Sequence, residues 1–170
     1  MTKLYTKTGD TGTTYGCNGR VAKDDDTIVA IGEIDELNSN LGLLVQYDRE
    51  FISQVQSDLF TIGARLIGAK VAMSEDSVTL LELEIDKLDL ELPTLKNFIL
   101  PNGSNAACYA FISRAICRRA ERNLVKLTKD RDVSLELRYL NRLSDYLFVL
   151  GRHLNYVLET DEVIWKAAQE

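Results

Sequence analysis

Leu137, Leu140, Leu143, Leu147, Leu150, Leu154 and Val157 recur at steps of three and four. That spacing keeps side chains on one face of an α-helix and cannot be reconciled with the two-residue period of a strand. So long an apolar face must be covered by other helices, and the sequence supplies them. Ile31, Ile34, Leu41 and Leu44 repeat the helical spacing, as do Ile52, Val55, Leu59, Ile62 and Leu66. Ile112, Ile116, Ala120, Leu124 and Leu127 mark another helix. Residues 78–92 read both ways, because Leu81, Leu83 and Ile85 alternate like a strand; Leu81, Ile85, Leu88 and Leu92 favour a helix. Both prolines, Pro93 and Pro101, fall in the connection 92–104, where no helical hydrogen bond is lost. Short turns near 47–49, 71–77 and 130–132 favour antiparallel neighbours. The predicted fold is therefore all-α: a five-helix antiparallel bundle. Residues 1–26, with Gly9, Gly12, Gly16 and Gly19, are expected to form a loop segment, 27–159 the bundle and 160–170 a C-terminal tail of one domain.

Charge narrows the partners. The 170 residues carry a net charge of −6, which argues against a general nucleic-acid binder. The distribution is uneven: residues 1–23 and 107–129 are locally basic, while 48–92 are acidic. Two basic segments in an acidic chain point to a confined anion site. No apolar run approaches the roughly 18 residues of a membrane helix, and Met1-Thr2-Lys3-Leu4 does not open a signal peptide. Three cysteines, Cys17, Cys108 and Cys117, cannot all pair within one chain and read as reduced thiols of a cytoplasmic protein.

Four segments carry candidate chemistry. Thr6-Lys7-Thr8-Gly9-Asp10-Thr11-Gly12-Thr13-Thr14 combines glycines, hydroxyls and a lysine, the groups that cradle an anion, but it is not a P-loop. Arg114, Arg118 and Arg122 stand four residues apart on one helix face, with Arg119 and Glu121 beside them. Like charges so placed repel, so carboxylates of another helix or a bound polyphosphate should compensate them. A solvated basic face is the plain alternative. Asp35, Asn38 and Ser39 share a face next to Ile34, Leu37 and Leu41, where partial burial would demand partners. Asn141 and Asp145 lie one turn apart within the strongest leucine stripe, where a buried polar network is the simpler reading of Asp145. His153 is the single histidine and reads as a surface position; there is no zinc pattern and no assembled nucleophilic triad. An enzyme built this way would act by positioning and electrostatics, or its substrate would itself be the nucleophile.

Taken in order, TKTGDTGTT, GRVAKDD, GEIDELNSNLG, FILPNGS, SRAICRRAER and YLNRLSDYLFVLGRHLN closely resemble the PduO-type ATP:cob(I)alamin adenosyltransferases. Blocks 6–24, 32–42, 98–122 and 139–155 cover 72 of the 170 residues. The resemblance implies a homotrimer with active sites between subunits, transferring the 5′-deoxyadenosyl group of ATP to cob(I)alamin. Mg²⁺ would accompany the triphosphate, and a reductant or reductase would supply the reduced corrinoid. It places ATP contacts at Thr6, Lys7, Thr8, Gly9, Thr14, Lys23, Arg118, Arg119, Glu121, Arg122 and Asn141, with Arg118 and Arg122 countering the leaving triphosphate. It makes Asp35 and Arg114 an inter-subunit pair and Phe98 the aromatic beneath the corrinoid. A motif that starts at Thr6 leaves no room for an organellar presequence, implying a bacterial or archaeal cytoplasm. Two positions depart from the family: Asn102 precedes Gly103 where Gly-Gly is usual, and Phe111 stands where His is common. Two other readings remain open, an ATP-binding sensor without corrinoid chemistry and a non-catalytic bundle docking an acidic partner or RNA through its arginine helix.

Overall fold

The computed structural model describes residues 3, 5–16 and 19–167. Five helices form the body: α1 (Asp26–Leu41), α2 (Arg49–Leu66), α3 (Asp76–Asp89), α4 (Asn105–Val125) and α5 (Ser134–Val157). Side chains cap three of the starts. Asp25 accepts from the Thr27 amide, Asp48 from that of Phe51 and Ser104 from that of Ala107, each satisfying an amide that has no partner inside the helix. Residues 78–92 resolve as helix over most of their length.

Cross-helix pairs fix the directions. Arg119 meets Glu33 and Glu36, while Lys126 lies 3.4 Å from Asp26, so α4 runs antiparallel to α1. Phe111 against Phe148 and Glu121 against Asn141 set α4 antiparallel to α5. Glu82 meets Arg142 and Glu91 meets His153, so α3 and α5 run parallel. Phe51 against Tyr146 and Arg65 against Glu136 set α2 antiparallel to α5, so consecutive helices alternate in direction and α5 packs against α2, α3 and α4. Its stripe residues Leu140, Leu143, Leu147, Leu150 and Leu154 are buried together with Tyr139 and Tyr146. Burying one such leucine contributes roughly 1.5–3 kcal/mol before conformational entropy is counted.

Two features depart from the sequence reading. Residues 13–22 are not wholly loop: β1 (Thr13–Gly16) and β2 (Gly19–Ala22) pair antiparallel, with Thr14 opposite Val21. Four-residue strands rich in Thr and Gly give no alternating apolar signal, so only a hairpin register reveals them. The tail is not free either: Ile164 bridges Ile99 in the α3–α4 connection. Cys108 and Cys117 are free thiols, and Cys17 lies outside the described residues.

Candidate functional site

The N-terminal loop is shaped by its own backbone. Lys7 has φ of 60°, a left-handed conformation rare for a residue with a side chain, and Gly12 has φ of 77°. The Thr6 and Thr8 hydroxyls share a hydrogen bond of 2.9 Å. The Lys23 amide donates to the Gly12 carbonyl, and the Lys23 ammonium lies so close to Gly9 that a Cβ there would sit 3.3 Å from Nζ. Thr6, Lys7, Thr8, Gly9 and Lys23 therefore belong to one turn, with Thr14 on the adjoining β1. Sequence reasoning passed over the residue that ties this turn together. The Arg20 guanidinium donates to the Thr8 carbonyl, to the Thr13 carbonyl at 3.1 Å and to the Thr13 hydroxyl, and lies over the Tyr15 ring. Arg20 is exposed and reaches across the hairpin to β1 and the loop, a placement that no local motif signals.

The helix α4 divides its arginines between two faces. Residues 118 and 119 differ by about 100° around the axis, which sends them to different neighbours. Arg119 binds Glu33 and Glu36 of α1, and these hydrogen bonds raise its pKa above the ordinary arginine value. Within one chain it is thus held by carboxylates, apart from the row of Arg114, Arg118 and Arg122. Among the described residues that row makes no ion pair. Arg122 only donates to the Arg118 carbonyl at 2.9 Å, and Arg114 lies over the Phe148 ring at 5.4 Å. Burial, then the charge of Arg118, lowers the Arg114 pKa. The row thus presents three guanidinium groups without an ion pair on one face, with Asp145 acting on Arg114 only at longer range.

Beside the row, Asn141 donates to Glu121 at 3.0 Å at the edge of a groove of about 630 Å³ between α3, α4 and α5. Val78, Val125 and Leu137 give it apolar wall, and Glu121, Asn141 and Arg142 give it polar groups. Asp145 is not in a buried network: it is exposed and pairs with Arg142 at 3.0 Å, because its position on α5 faces outward, while Ser144 is the buried neighbour. Of the α1 trio only Asn38 is buried, exchanging hydrogen bonds with Gln56. Asp35 and Ser39 are exposed, and Asp35 lines a second, apolar groove of about 500 Å³ with Ile28, Ile31 and Phe60. His153 is half-buried rather than on the open surface, with Nε2 3.0 Å from a Glu91 carboxylate oxygen.

The Phe98 segment stands at the end of the bundle. Its ring is 80% exposed. Behind it the Leu100–Ser104 turn is clamped by Asn155 of α5, whose amide donates to the Asn102 carbonyl and accepts from the Ser104 amide, both at 2.9 Å. The positive φ falls on Gly103 (119°), and Asn102 does not have one, so the departure from Gly-Gly needs no special backbone. Phe111 is buried against Gly151, where a Cβ would lie 2.6 Å from its ring. The side chain at position 111 is therefore a packing element of the α4–α5 interface here.

The structure does not bring every candidate together. Among the described residues no hydrogen bond or ion pair joins the loop 6–14 to Arg118, Glu121 or Arg122, and Asp35 and Arg114 do not pair within the chain. No three His, Cys, Asp or Glu among the described residues form a metal cluster, and no described helix is long and apolar enough to cross a membrane.

Comparison with known proteins bears on this arrangement. The family described as cobalamin adenosyltransferase matches residues 4–154. A cobalamin adenosyltransferase of Cupriavidus metallidurans is 42% identical, aligned over all of this chain and 97% of its own length. A corrinoid adenosyltransferase of Bacillus subtilis is also 42% identical, over 90% of this chain and 86% of its own. Among solved structures, a variant PduO-type ATP:corrinoid adenosyltransferase of Lactobacillus reuteri complexed with cobalamin and ATP superposes with a TM-score of 0.91 at 31% identity, covering 98% of both chains. Another variant of that protein, complexed with ATP, gives 0.89 at 32% identity, covering 96% of this chain and all of its own.

Proposed function

This chain belongs to the cobalamin adenosyltransferase family, and we propose that it transfers the 5′-deoxyadenosyl group of ATP to cob(I)alamin, releasing triphosphate. One observation supports this most: the α4 row Arg114, Arg118 and Arg122 has no carboxylate partner in the described chain and borders the Glu121–Asn141 pair. In the proposed reaction the cobalt electron pair forms a bond to C5′ as the C5′–O5′ pair leaves with the triphosphate. The protein needs no nucleophile; it must align ATP and counter charge that grows on the leaving oxygens. Arg118 and Arg122 would do the latter. Thr6, Lys7, Thr8, Gly9, Thr14 and Lys23 would hold the phosphates, and Glu121 and Asn141 would hold the nucleoside. Mg²⁺ would enter on the triphosphate oxygens, since the described residues offer no carboxylate cage. Arg119, whose Nε and Nη2 are held by Glu33 and Glu36, would meet ATP through Nη1. The test is product identity: intact triphosphate should appear in step with corrinoid consumption, whereas orthophosphate or diphosphate release would contradict direct displacement at C5′.

The separation of the loop from the arginine row within one chain supports a site completed by a neighbouring subunit, and so a homotrimer. A reductant or reductase would supply the reduced corrinoid in the cytoplasm. Asp35, in an apolar groove and without an ion-pair partner among the described residues, and Arg114, over an aromatic ring, would pair across that interface. Breaking a buried pair costs about 3–5 kcal/mol. Asp35→Ala should weaken assembly or ATP binding, measured by sedimentation and calorimetry, well beyond Asp26→Ala. Identical behaviour of the two variants would remove the pairing.

Phe98 would face the corrinoid and keep its axial base off the cobalt. Phe98→Ala should leave ATP affinity near normal while bound cob(II)alamin loses its four-coordinate absorption and electron-paramagnetic signature. Persistence of that signature would reduce Phe98 to packing.

A further inference from the structure

After α5 the chain reverses at Glu159, whose φ is 49°, and runs back along the bundle end. The Val163 carbonyl accepts from the Leu100 amide, and the Trp165 amide donates to the Phe98 carbonyl, both at 2.8 Å. The Phe98 and Trp165 rings meet edge to face, centroids 6.5 Å apart. This strand pair is short, and its apolar side chains are largely exposed, so packing alone does not fix its register. The residue immediately before it does something unusual. Glu162 binds Arg152, Nε to Oε1 at 2.8 Å and Nη2 to Oε2 at 3.3 Å, and Arg152 is only 3% exposed. The same Nη2 donates to the Pro93 carbonyl at 2.9 Å. One buried guanidinium therefore joins α5, the start of the α3–α4 connection and the tail, with Glu162 adjacent to the first paired residue of the strand.

We propose that Arg152 and Glu162 are positioning residues: their ion pair sets the register of the tail strand 163–165 on Phe98–Leu100 and thereby holds the exposed Phe98 ring. This rests on the reading of Phe98 given above. The planar fork of arginine suits the two-point contact with Glu162. Asp89 meets the same guanidinium only loosely, Oδ1 lying 3.9 Å from Nη1, so loss of Glu162 would leave the buried charge with its weaker partner. Lysine at 152 would keep the charge without the fork. Neither residue needs to touch a substrate for this role.

Glu162→Gln and Arg152→Lys in the full chain test it. Glu162 lies outside the helices, so its variant keeps the bundle even if the Arg152 variant folds poorly. Trp165 is the single tryptophan, so its emission and acrylamide quenching report the tail directly. Exchange of the Leu100 and Trp165 amides should quicken by about tenfold, the order expected for losing a charge-assisted hydrogen bond. The four-coordinate fraction of bound cob(II)alamin should fall and the KM for cobalamin rise, with the KM for ATP unchanged. Unchanged amide exchange would overturn the proposal. So would a loosened tail with an unaltered four-coordinate fraction, which would make the pair merely structural. If the unsubstituted protein gives no four-coordinate signal, the reading of Phe98 fails instead, and amide exchange alone decides whether the pair sets the register.

Discussion

Arg118→Ala should lower turnover by about 10²–10³ at saturating ATP and cob(I)alamin, while the fold is retained. The size follows from removing one donor whose charge matters most in the transition state, about 3–4 kcal/mol. Arg118 is exposed on α4 and has no carboxylate partner among the described residues, so its loss leaves no stranded charge in the bundle. Arg118→Lys keeps the charge but not the planar fork and should be impaired less than the alanine variant. A solvated basic face predicts the opposite. Relief of repulsion from Arg114 and Arg122 would then leave turnover normal and the protein slightly more stable. Steady-state rates and thermal unfolding, followed on the same samples, separate the two.

Gly103→Ala should be the most damaging single-methyl change near the site. Its φ of 119° is strained for any residue with a side chain, and the added Cβ would collide with the Asn155 amide that clamps the turn. Strain of this kind costs about 1–3 kcal/mol, and overpacking a further 1–3 kcal/mol. Either the turn opens, releasing the Asn155 contacts to Asn102 and Ser104, or the whole protein loses that stability. Chemical unfolding should show a midpoint shift or a new mobile segment at 98–104. Asn102→Gly, by contrast, should be mild, because Asn102 has no positive φ to relieve. A Gly103→Ala variant of unchanged stability and cobalamin affinity would show that the Asn155 clamp is dispensable.

The helices were legible because burial imposes a period on sequence. The α5 stripe from Leu140 to Leu154 is buried as its spacing requires, and Leu81 and Leu88 decide α3 in favour of a helix. What sequence could not show is pairing between distant segments. The hairpin Thr13–Ala22 has too little apolar alternation, and Val163–Trp165 meets Phe98–Leu100 across more than 60 positions. Buried charges were equally silent. Arg152 and Glu136 are each only 3% exposed and are held by Glu162 and Arg65, partners that no local motif reveals. The arginine row was visible at four-residue spacing, but the turning of Arg119 toward α1 depends on where Glu33 and Glu36 stand. Arg20 was counted as charge and proved to be the brace of the N-terminal loop.

The central claim is that this chain makes a cobalt–carbon bond from ATP. The direct measurement is to incubate the protein anaerobically with ATP, Mg²⁺ and chemically reduced cobalamin, then record the corrinoid spectrum before and after light. The account predicts a corrinoid that carries the 5′-deoxyadenosyl group, forms only with ATP and protein both present, and is cleaved by light. Tight ATP binding without any light-sensitive product from reduced cobalamin would contradict it.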